Sequence, residues 1–185
     1  MKGFTKTRHL SEREEPIIFD VLAKNETITG RKAEALCMVL LDTGLRLMEA
    51  VNLEWECVDL TRREIEVYRT KTDTVSLVPI SQRVHDLFQS LLSQDQPFQN
   101  MEWAIKVLRE VIRTHCNKSE RVVATRGRAT VHSLRDTYAS RMVQRGLSIQ
   151  QVSILLGHSN ISQTIKYAQL ETVDVVAQAR MALDV

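Results

Sequence analysis

Residues 31–43 constrain the fold more than any other part of the sequence, because from Ala35 to Leu41 they are apolar almost all the way round a helix. A helix with no polar face must be enclosed by other elements, so this one should lie at the centre of a domain. Gly44 follows it and can adopt the left-handed conformation that ends helices. A chain of 185 residues is long enough to build such an enclosure as one domain.

Helical periodicity predicts further helices around this central one. They are expected over residues 12–24, 81–92, 100–116 and 132–146, with a short helix after Gly44 that carries Arg46, Glu49 and Leu53 and another that begins near Asn160. Residues 117–131 are rich in Arg, Thr and Gly and are predicted to be a loop.

The periodicity changes after Trp55, where apolar and polar residues begin to alternate. Ile65 and Val67 alternate with charged neighbours, and Val75 and Leu77 do the same after a polar turn, which is typical of antiparallel strands. Residues 57–59 would complete a small meander. We therefore predict a mainly α fold with a small antiparallel β-sheet, in the α+β class, with Lys71 at the tip of the turn between two strands.

Bulk charge says little about partners, because the net charge is only +2 and the pI is near 8.5. The distribution of charge is more informative, since acidic residues cluster near residue 14 and basic ones crowd a later segment. The basic residues are Lys118, Arg121, Arg126, Arg128, Arg135 and Arg141. This run is either a DNA-binding face or a solvated basic loop.

The three cysteines, Cys37, Cys57 and Cys116, have spacings that suit neither a metal site nor a disulfide framework. We interpret them as reduced thiols of a cytosolic protein. The sequence has no apolar run long enough to span a membrane and no signal peptide at its beginning. The prediction is a cytoplasmic protein with no membrane association and no metal.

Arg135 falls inside the apolar stripe of the helix over residues 132–146, together with Leu134, Tyr138 and Val143. A guanidinium that faces the core keeps its charge, so it needs an anionic partner, either a carboxylate or a bound phosphate. His132 lies one turn earlier on the same face.

Tyr167 differs from Arg135, because it lies outside the apolar face of its predicted helix. In the helix that begins near Asn160, Ile161, Ile165 and Ala168 share a face that should point to the core, and Tyr167 lies well away from that face. It is therefore a poor candidate for a core residue.

Four stretches of the chain, TGLRLMEAVNLEW, RTKTDT, HSLRDTYAS and LGHSNISQTIKYAQL, resemble the motifs of the tyrosine recombinases, or phage integrases, in their order and approximate spacing. The resemblance implies the catalytic-domain fold of these DNA breaking-rejoining enzymes. It also implies site-specific DNA recombination through a covalent 3′-phosphotyrosine that releases a 5′ hydroxyl.

The resemblance assigns a role to each matching residue. Tyr167 is the nucleophile, Arg46 and Arg135 are the two arginines, His132 and His158 are the two histidines, Lys71 is the hairpin lysine, and Glu49 is the supporting acid. Two arginines suit the charge that builds on nonbridging phosphate oxygens, and His132 would take the phenolic proton. Lys71 would protonate the leaving 5′ oxygen, and His158 would donate a hydrogen bond to the phosphate. No cofactor is implied.

Each residue also has a simpler explanation; Arg46, for example, could pair with Glu49, although that pairing would not prevent it from binding phosphate. For the chain as a whole we expect an N-terminal linker or arm over residues 1–10, a catalytic domain over 11–170, and a C-terminal segment over 171–185 that packs on a neighbouring protomer. The expected partners are double-stranded DNA attachment sites, with a homotetramer on DNA and a monomer in isolation.

Two other functions are compatible with parts of the pattern. One is DNA relaxation of the type IB topoisomerase kind, and the other is a DNA-binding module without catalysis. Members of the family usually carry a separate N-terminal domain that closes the other half of a clamp around DNA. The catalytic domain with its modest net charge should therefore bind DNA weakly and in a salt-sensitive manner.

Overall fold

A computed structural model describes residues 8–69, 74–158 and 160–168 of the chain. Its helices are α1 (Glu14–Ala23), α2 (Ile28–Thr43), α3 (Leu47–Val51), α4 (Gln82–Leu91), α5 (Glu102–Cys116), α6 (Glu120–Arg126), α7 (His132–Gln144), α8 (Ile149–Leu156) and α9 (Ser162–Ile165). Its strands are β1 (Val58–Asp59), β2 (Glu64–Arg69) and β3 (Thr74–Pro79). The prediction of a mainly helical fold with a small antiparallel sheet is confirmed.

Helix α2 is the buried centre of the domain, as predicted. The hydroxyl of Thr27 caps its first turn by accepting a hydrogen bond from the amide of Gly30 at 3.0 Å. Helices α1, α4, α5 and α7 pack around it. At its other end Gly44 has φ +65°, and a Cβ there would lie 2.4 Å from Cδ1 of Tyr138. This close approach lets the end of α2 meet α7, which carries part of the candidate site.

The sheet is an antiparallel meander in the order β1-β2-β3. Strand β2 pairs with β3 from Glu64 opposite Pro79 to Arg69 opposite Thr74. Residues 70–73 lie outside the described part, so the structure does not test the predicted position of Lys71. Along β2 the inward positions are Ile65, Val67 and Arg69, all buried. The inward face of the sheet therefore ends in an arginine instead of an apolar residue.

Two parts of the chain differ from the sequence prediction. Residues 117–131 are not one loop, because Ser119 caps a short helix, α6, by accepting a hydrogen bond from the amide of Val122. Residues 8–10 are not a free arm, since Arg8 is buried against Glu14 and the carbonyl of Cys116. Local polarity suggested a loop and an arm, but side-chain capping and a buried ion pair order these residues.

The orientation predicted for the last helix is wrong. Ile161 and Ile165 are 45% and 53% exposed, whereas Tyr167 is only 4% exposed. The reason is that α9 spans a single turn, so its helical periodicity does not extend to Tyr167, which lies beyond its end. Tyr167 instead joins a small apolar cluster with residues of α7 and α8, among them Tyr138 and Leu156.

Within the described residues, no helix combines the length and the apolar character that crossing a lipid bilayer requires.

Candidate active site

Five of the six predicted catalytic residues line one open pocket of about 350 Å³. They are Arg46, His132, Arg135, His158 and Tyr167, joined by Ser162, Gln163 and Lys166. These residues come from α3, α7, α8 and α9 and the segments that flank them, so the pocket forms where the region around Arg46 meets the later helices. The sixth residue, Lys71, lies outside the described residues.

The C-terminal end of α8 organises the arginines of this site. Arg69 Nη2 lies 3.5 Å from the carbonyl oxygen of Leu155, Arg135 Nη2 donates to that of Leu156 at 2.5 Å, and Arg46 Nη2 donates to that of Gly157 at 3.4 Å. The last carbonyls of a helix have no partner within it and carry the negative end of its dipole. Three guanidinium groups therefore share one helix end.

Arg135 is 2% exposed and makes its second hydrogen bond to the carbonyl of Gly44, at 2.5 Å from Nη1. Its partners inside the protein are thus carbonyls at the ends of α2 and α8, and not the carboxylate that the sequence allowed. Burial, reinforced by the nearby charge of Arg46, lowers the pKa of Arg135 to about 10. The guanidinium stays charged at neutral pH, and an anion in the pocket would stabilise it further.

Glu49 links Arg46 to the sheet. Its Oε1 accepts a hydrogen bond from Arg46 Nη1 at 2.6 Å and forms an ion pair with Arg69, while its Oε2 accepts from the amide of Arg46 at 2.7 Å. Burial alone would raise the pKa of Glu49, but the hydrogen bonds from Arg69 and Arg46 lower it overall. The predicted pairing of Arg46 with Glu49 is confirmed, and Arg46 still faces the pocket.

Arg69 was not recognised in the sequence as part of the site. The available signal was the alternation of β2, in which Arg69 takes the inward position after Ile65 and Val67. A charged residue in that position requires a buried partner. That partner is Glu49, which lies 20 positions earlier in the chain.

The two histidines of the pocket are neutral at physiological pH. Burial, followed by the charges of Arg135 and Arg46, lowers the pKa of His158 to about 4. Burial also lowers the pKa of His132, against the attraction of Asp136. Nδ1 of His158 lies 2.7 Å from the hydroxyl of Thr164. If that hydroxyl donates, the imidazole proton resides on Nε2, where it can serve a ligand in the pocket.

The hydroxyl of Tyr167 donates a hydrogen bond to Oδ1 of Asp136, and Nζ of Lys166 donates to the same oxygen at 2.7 Å. His132 Nε2 lies 3.9 Å from that oxygen. The sequence prediction placed His132 next to the phenol, whereas the direct partner of the phenol is Asp136. Asp136 follows Arg135 directly in the chain, but nothing in the sequence indicated that it reaches Tyr167.

The predicted DNA-contacting residues fall into two groups. Lys118, Arg121, Arg126 and Arg128 are exposed. Arg128 lines a second cavity of about 500 Å³, which shares His132 and Arg135 with the pocket described above. Two further arginines of α5 that were not predicted also line this cavity, Arg109 and Arg113. Arg141 differs from the rest, because it is half-buried and forms an ion pair with Glu15.

In the described part of the chain, no three His, Cys, Asp or Glu side chains are grouped closely enough to hold a metal ion. The polar groups around the pocket that contains Tyr167 are mostly hydrogen-bond donors, three of them cationic, namely Arg46, Arg135 and Lys166. Such a set of donors suits an oxyanion of the phosphate type.

The sequence of residues 8–173 matches the family model of the phage integrase family. This chain belongs to the phage integrase family. Among similar proteins of the family, the tyrosine recombinase XerD of Lacticaseibacillus casei is 30% identical over 170 residues, which are 85% of this chain and 57% of that protein. A probable integrase/recombinase of Acholeplasma phage L2 is 29% identical over 71% of this chain and 46% of its own length. The chain thus spans about half the length of these relatives.

The fold is that of the family's catalytic domains. The catalytic domain of bacteriophage HP1 integrase superposes with a TM-score of 0.71 at 21% identity, over 95% of both chains. The prediction of the family and of its catalytic-domain fold is confirmed. Residues 8–10, which the sequence predicts to be part of a linker or arm, fall within the range that matches the family model.

Proposed function

We propose that this chain is the catalytic domain of a site-specific DNA recombinase in which Tyr167 is the nucleophile. The observation that carries the proposal is the pocket itself, which Tyr167 lines together with two arginines from distant parts of the chain. A tyrosine hydroxyl beside donors that suit phosphate is a suitable nucleophile for attack on a phosphodiester.

In the proposed reaction the scissile phosphate enters between Arg46 and Arg135, whose guanidinium groups pair with its nonbridging oxygens. Negative charge on these oxygens grows in the transition state, so fixed donors stabilise the transition state more than the ground state. The carbonyls of α8 hold the arginines in place before DNA binds. The arrangement therefore needs little reorganisation during reaction.

The covalent step forms a bond between Tyr167 Oη and phosphorus and breaks the bond from phosphorus to the 5′ oxygen. The phenolic proton passes to His132, which is neutral at pH 7 and can accept it, and Lys71 supplies the proton that the 5′ oxygen takes up. His158 donates from Nε2 to a nonbridging oxygen. Rejoining runs the same steps in reverse, so the phosphotyrosyl link conserves the bond energy and no nucleotide is consumed.

We propose that double-stranded DNA crosses from the catalytic pocket to the neighbouring cavity. Arg109, Arg113 and Arg128 line that cavity and would contact phosphates on one side of the scissile position. Among structural neighbours, the Tn1549 transposon integrase in complex with transposon right end DNA has a TM-score of 0.67 at 18% identity, over 95% of this chain and 65% of that one. That complex supports the choice of DNA as the partner.

Assembly into a homotetramer on DNA is part of the same proposal. Residues 171–185 lie outside the described part, and we propose that they pack on a neighbouring protomer. Ile154, Ile161 and Ile165 are large apolar side chains left exposed on α8 and α9, which supports a contact at this end of the domain. Sedimentation of the protein with and without its DNA site would test the assembly.

The decisive experiment is the capture of a covalent adduct. A pool of nicked duplexes with a randomised central region is incubated with the protein, and denaturant-resistant complexes are isolated and sequenced. Wild type should give an adduct, Tyr167→Phe should give none, and Tyr68→Phe should behave as wild type because Tyr68 is exposed on β2. An adduct formed by Tyr167→Phe would refute the assignment, as would the absence of any adduct with wild type.

Relaxation of supercoiled DNA is the main competing activity. The relatives and structural neighbours named above are recombinases or integrases, and no feature of the described pocket favours relaxation over strand exchange.

A further inference from the structure

Asp136 lies at the first turns of α7, beneath the wall of the catalytic pocket that Tyr167 forms. Its side chain is 3% exposed, and Tyr167 is 4% exposed. Tyr167 and Lys166 both donate to Oδ1 of this carboxylate. Oδ2 is buried and makes no hydrogen bond to any residue in the described part of the chain. The carboxylate therefore depends on these two donors.

The hydrogen bond between Tyr167 and Asp136 is of the strong kind, because its acceptor is ionised and both groups are shielded from water. A buried carboxylate that loses a donor is left with an unsatisfied charge, which is costly. Moving the tyrosine hydroxyl away from Asp136 is thus opposed by the carboxylate. Lys166 alone would then have to compensate its charge.

The geometry points to Asp136 as a positioning residue that holds the hydroxyl of Tyr167 against the pocket wall and restrains its attack until DNA occupies the site. This inference rests on the proposed function, in which Tyr167 is the nucleophile. The restraint is specific to this carboxylate, because no other acidic side chain in the described residues hydrogen-bonds to Tyr167.

The charges around Tyr167 act in opposite directions. Burial and the neighbouring Asp136 raise the pKa of Tyr167 well above its usual value, and Arg135 lowers it less than they raise it. The other groups that line the pocket are His132, Arg46, His158 and Lys166, of which Arg46 and Lys166 are cations. The resting pocket thus combines cations for the phosphate with a nucleophile kept as a neutral phenol.

A phosphate in the pocket would change this balance. Lys166 both lines the pocket and donates to Asp136, so an incoming phosphate competes with Asp136 for the ammonium group. Loss of the lysine makes protonation of Asp136 easier, and a neutral carboxylic acid no longer opposes ionisation of the phenol. Occupation of the site by DNA would thereby release the nucleophile.

The test is Asp136→Asn, in which the side-chain oxygen can still accept from Tyr167 but the charge is gone. The chain has three tyrosines, Tyr68, Tyr138 and Tyr167. Ionisation of Tyr167 can therefore be isolated by ultraviolet titration, as the difference between each protein and its Tyr167→Phe counterpart. In wild type Tyr167 should stay un-ionised until alkaline unfolding, and in Asp136→Asn it should ionise at lower pH. An unchanged titration would overturn the inference.

The second readout is the rate of covalent adduct formation as a function of pH. Each unit by which the pKa of the phenol falls raises the phenolate fraction about tenfold. At pH 7 the covalent adduct should therefore form up to about tenfold faster in Asp136→Asn for each unit by which the substitution lowers that pKa. A slower rate would mean that Asp136 accepts the proton during attack, which contradicts the restraint. Asp86→Asn, at an exposed position of α4, should react like wild type.

Thermal unfolding of Asp136→Asn shows whether the variant is folded, and Asp136→Glu serves as a second variant that keeps the charge. Asp136→Glu should keep the high pH of ionisation wherever it folds. Because the titration needs no DNA, it tests the restraint even if no adduct forms with any substrate. Failure of the inference and failure of the proposed function are therefore separable.

Discussion

Gly157→Ala should destabilise the protein by about 4–5 kcal/mol, which is large for the addition of one methyl group. Gly157 has φ +59°, and a residue with a Cβ costs about 1–2 kcal/mol in this left-handed conformation. The added Cβ would also lie 2.5 Å from Nε and 3.0 Å from Cδ of Arg69, so the buried guanidinium must move. Breaking its ion pair with Glu49 costs about 3 kcal/mol.

The loss can be measured by urea unfolding followed by circular dichroism, or as a fall in Tm of about 8–20 °C for a domain of this size. The clash contributes only if the Arg69 side chain is present, so in an Arg69→Ala background Gly157→Ala should cost only the backbone part, about 1–2 kcal/mol. An equal cost of Gly157→Ala in both backgrounds would refute the proposed clash.

Gly146→Ala is the matched control for Gly157→Ala in measurements of stability and DNA affinity. Gly146 also has a positive φ, of +95°, but no atom lies within 4 Å of the position its Cβ would take. The variant should lose stability through its backbone alone and keep the DNA affinity of the folded protein. Gly157→Ala should lose both stability and DNA affinity, because displacement of Arg69 disturbs Glu49 and, through it, Arg46.

Two further predictions concern pH and salt. The folded-state pKa of His158 is about 4 and the unfolded value is about 6.5. Between these two pH values the unfolded state binds a proton at this residue that the folded state does not bind. The free energy of unfolding should therefore fall as the pH is lowered from 6.5 to 4. It should fall less steeply in His158→Gln, because up to one proton fewer is taken up on unfolding. Arg128→Ala should reduce the slope of log affinity for DNA against log salt by about 0.9, the value for one phosphate contact. Arg141→Ala should leave that slope unchanged, because Arg141 is paired with Glu15, and equal effects of the two arginine variants would contradict the proposed path of the DNA.

Much of the fold was predictable because it depends on local patterns. The apolar stretch of α2 forced a central helix, and the change of period after Trp55 marked the sheet. The expectation that Tyr167 would face outward failed for a local reason as well. A single turn such as α9 is too short for helical periodicity to determine which side chains are buried.

The grouping of Arg46, Arg69 and Arg135 at the end of α8 could not be derived from sequence spacing. The hydrogen bond of Arg46 to Gly157 joins residues 111 positions apart, and that of Arg69 to Leu155 joins residues 86 apart. No periodic signal relates such positions, because their proximity depends on how α8 packs beside the sheet and α7. Only the alternation of β2 indicated that Arg69 would need a buried partner.

The sequence by itself determined the groups that the four motifs bring to the site, namely two arginines, two histidines and a tyrosine, but not the contributions of Arg69 and Asp136. The tertiary structure decided the electrostatic state of those groups. Burial makes His158 neutral, the carbonyls of α2 and α8 hold Arg135 without cancelling its charge, and Asp136 keeps Tyr167 as a phenol. Desolvation and the distance to neighbouring charges set these states, and both arise only when distant parts of the chain are brought together.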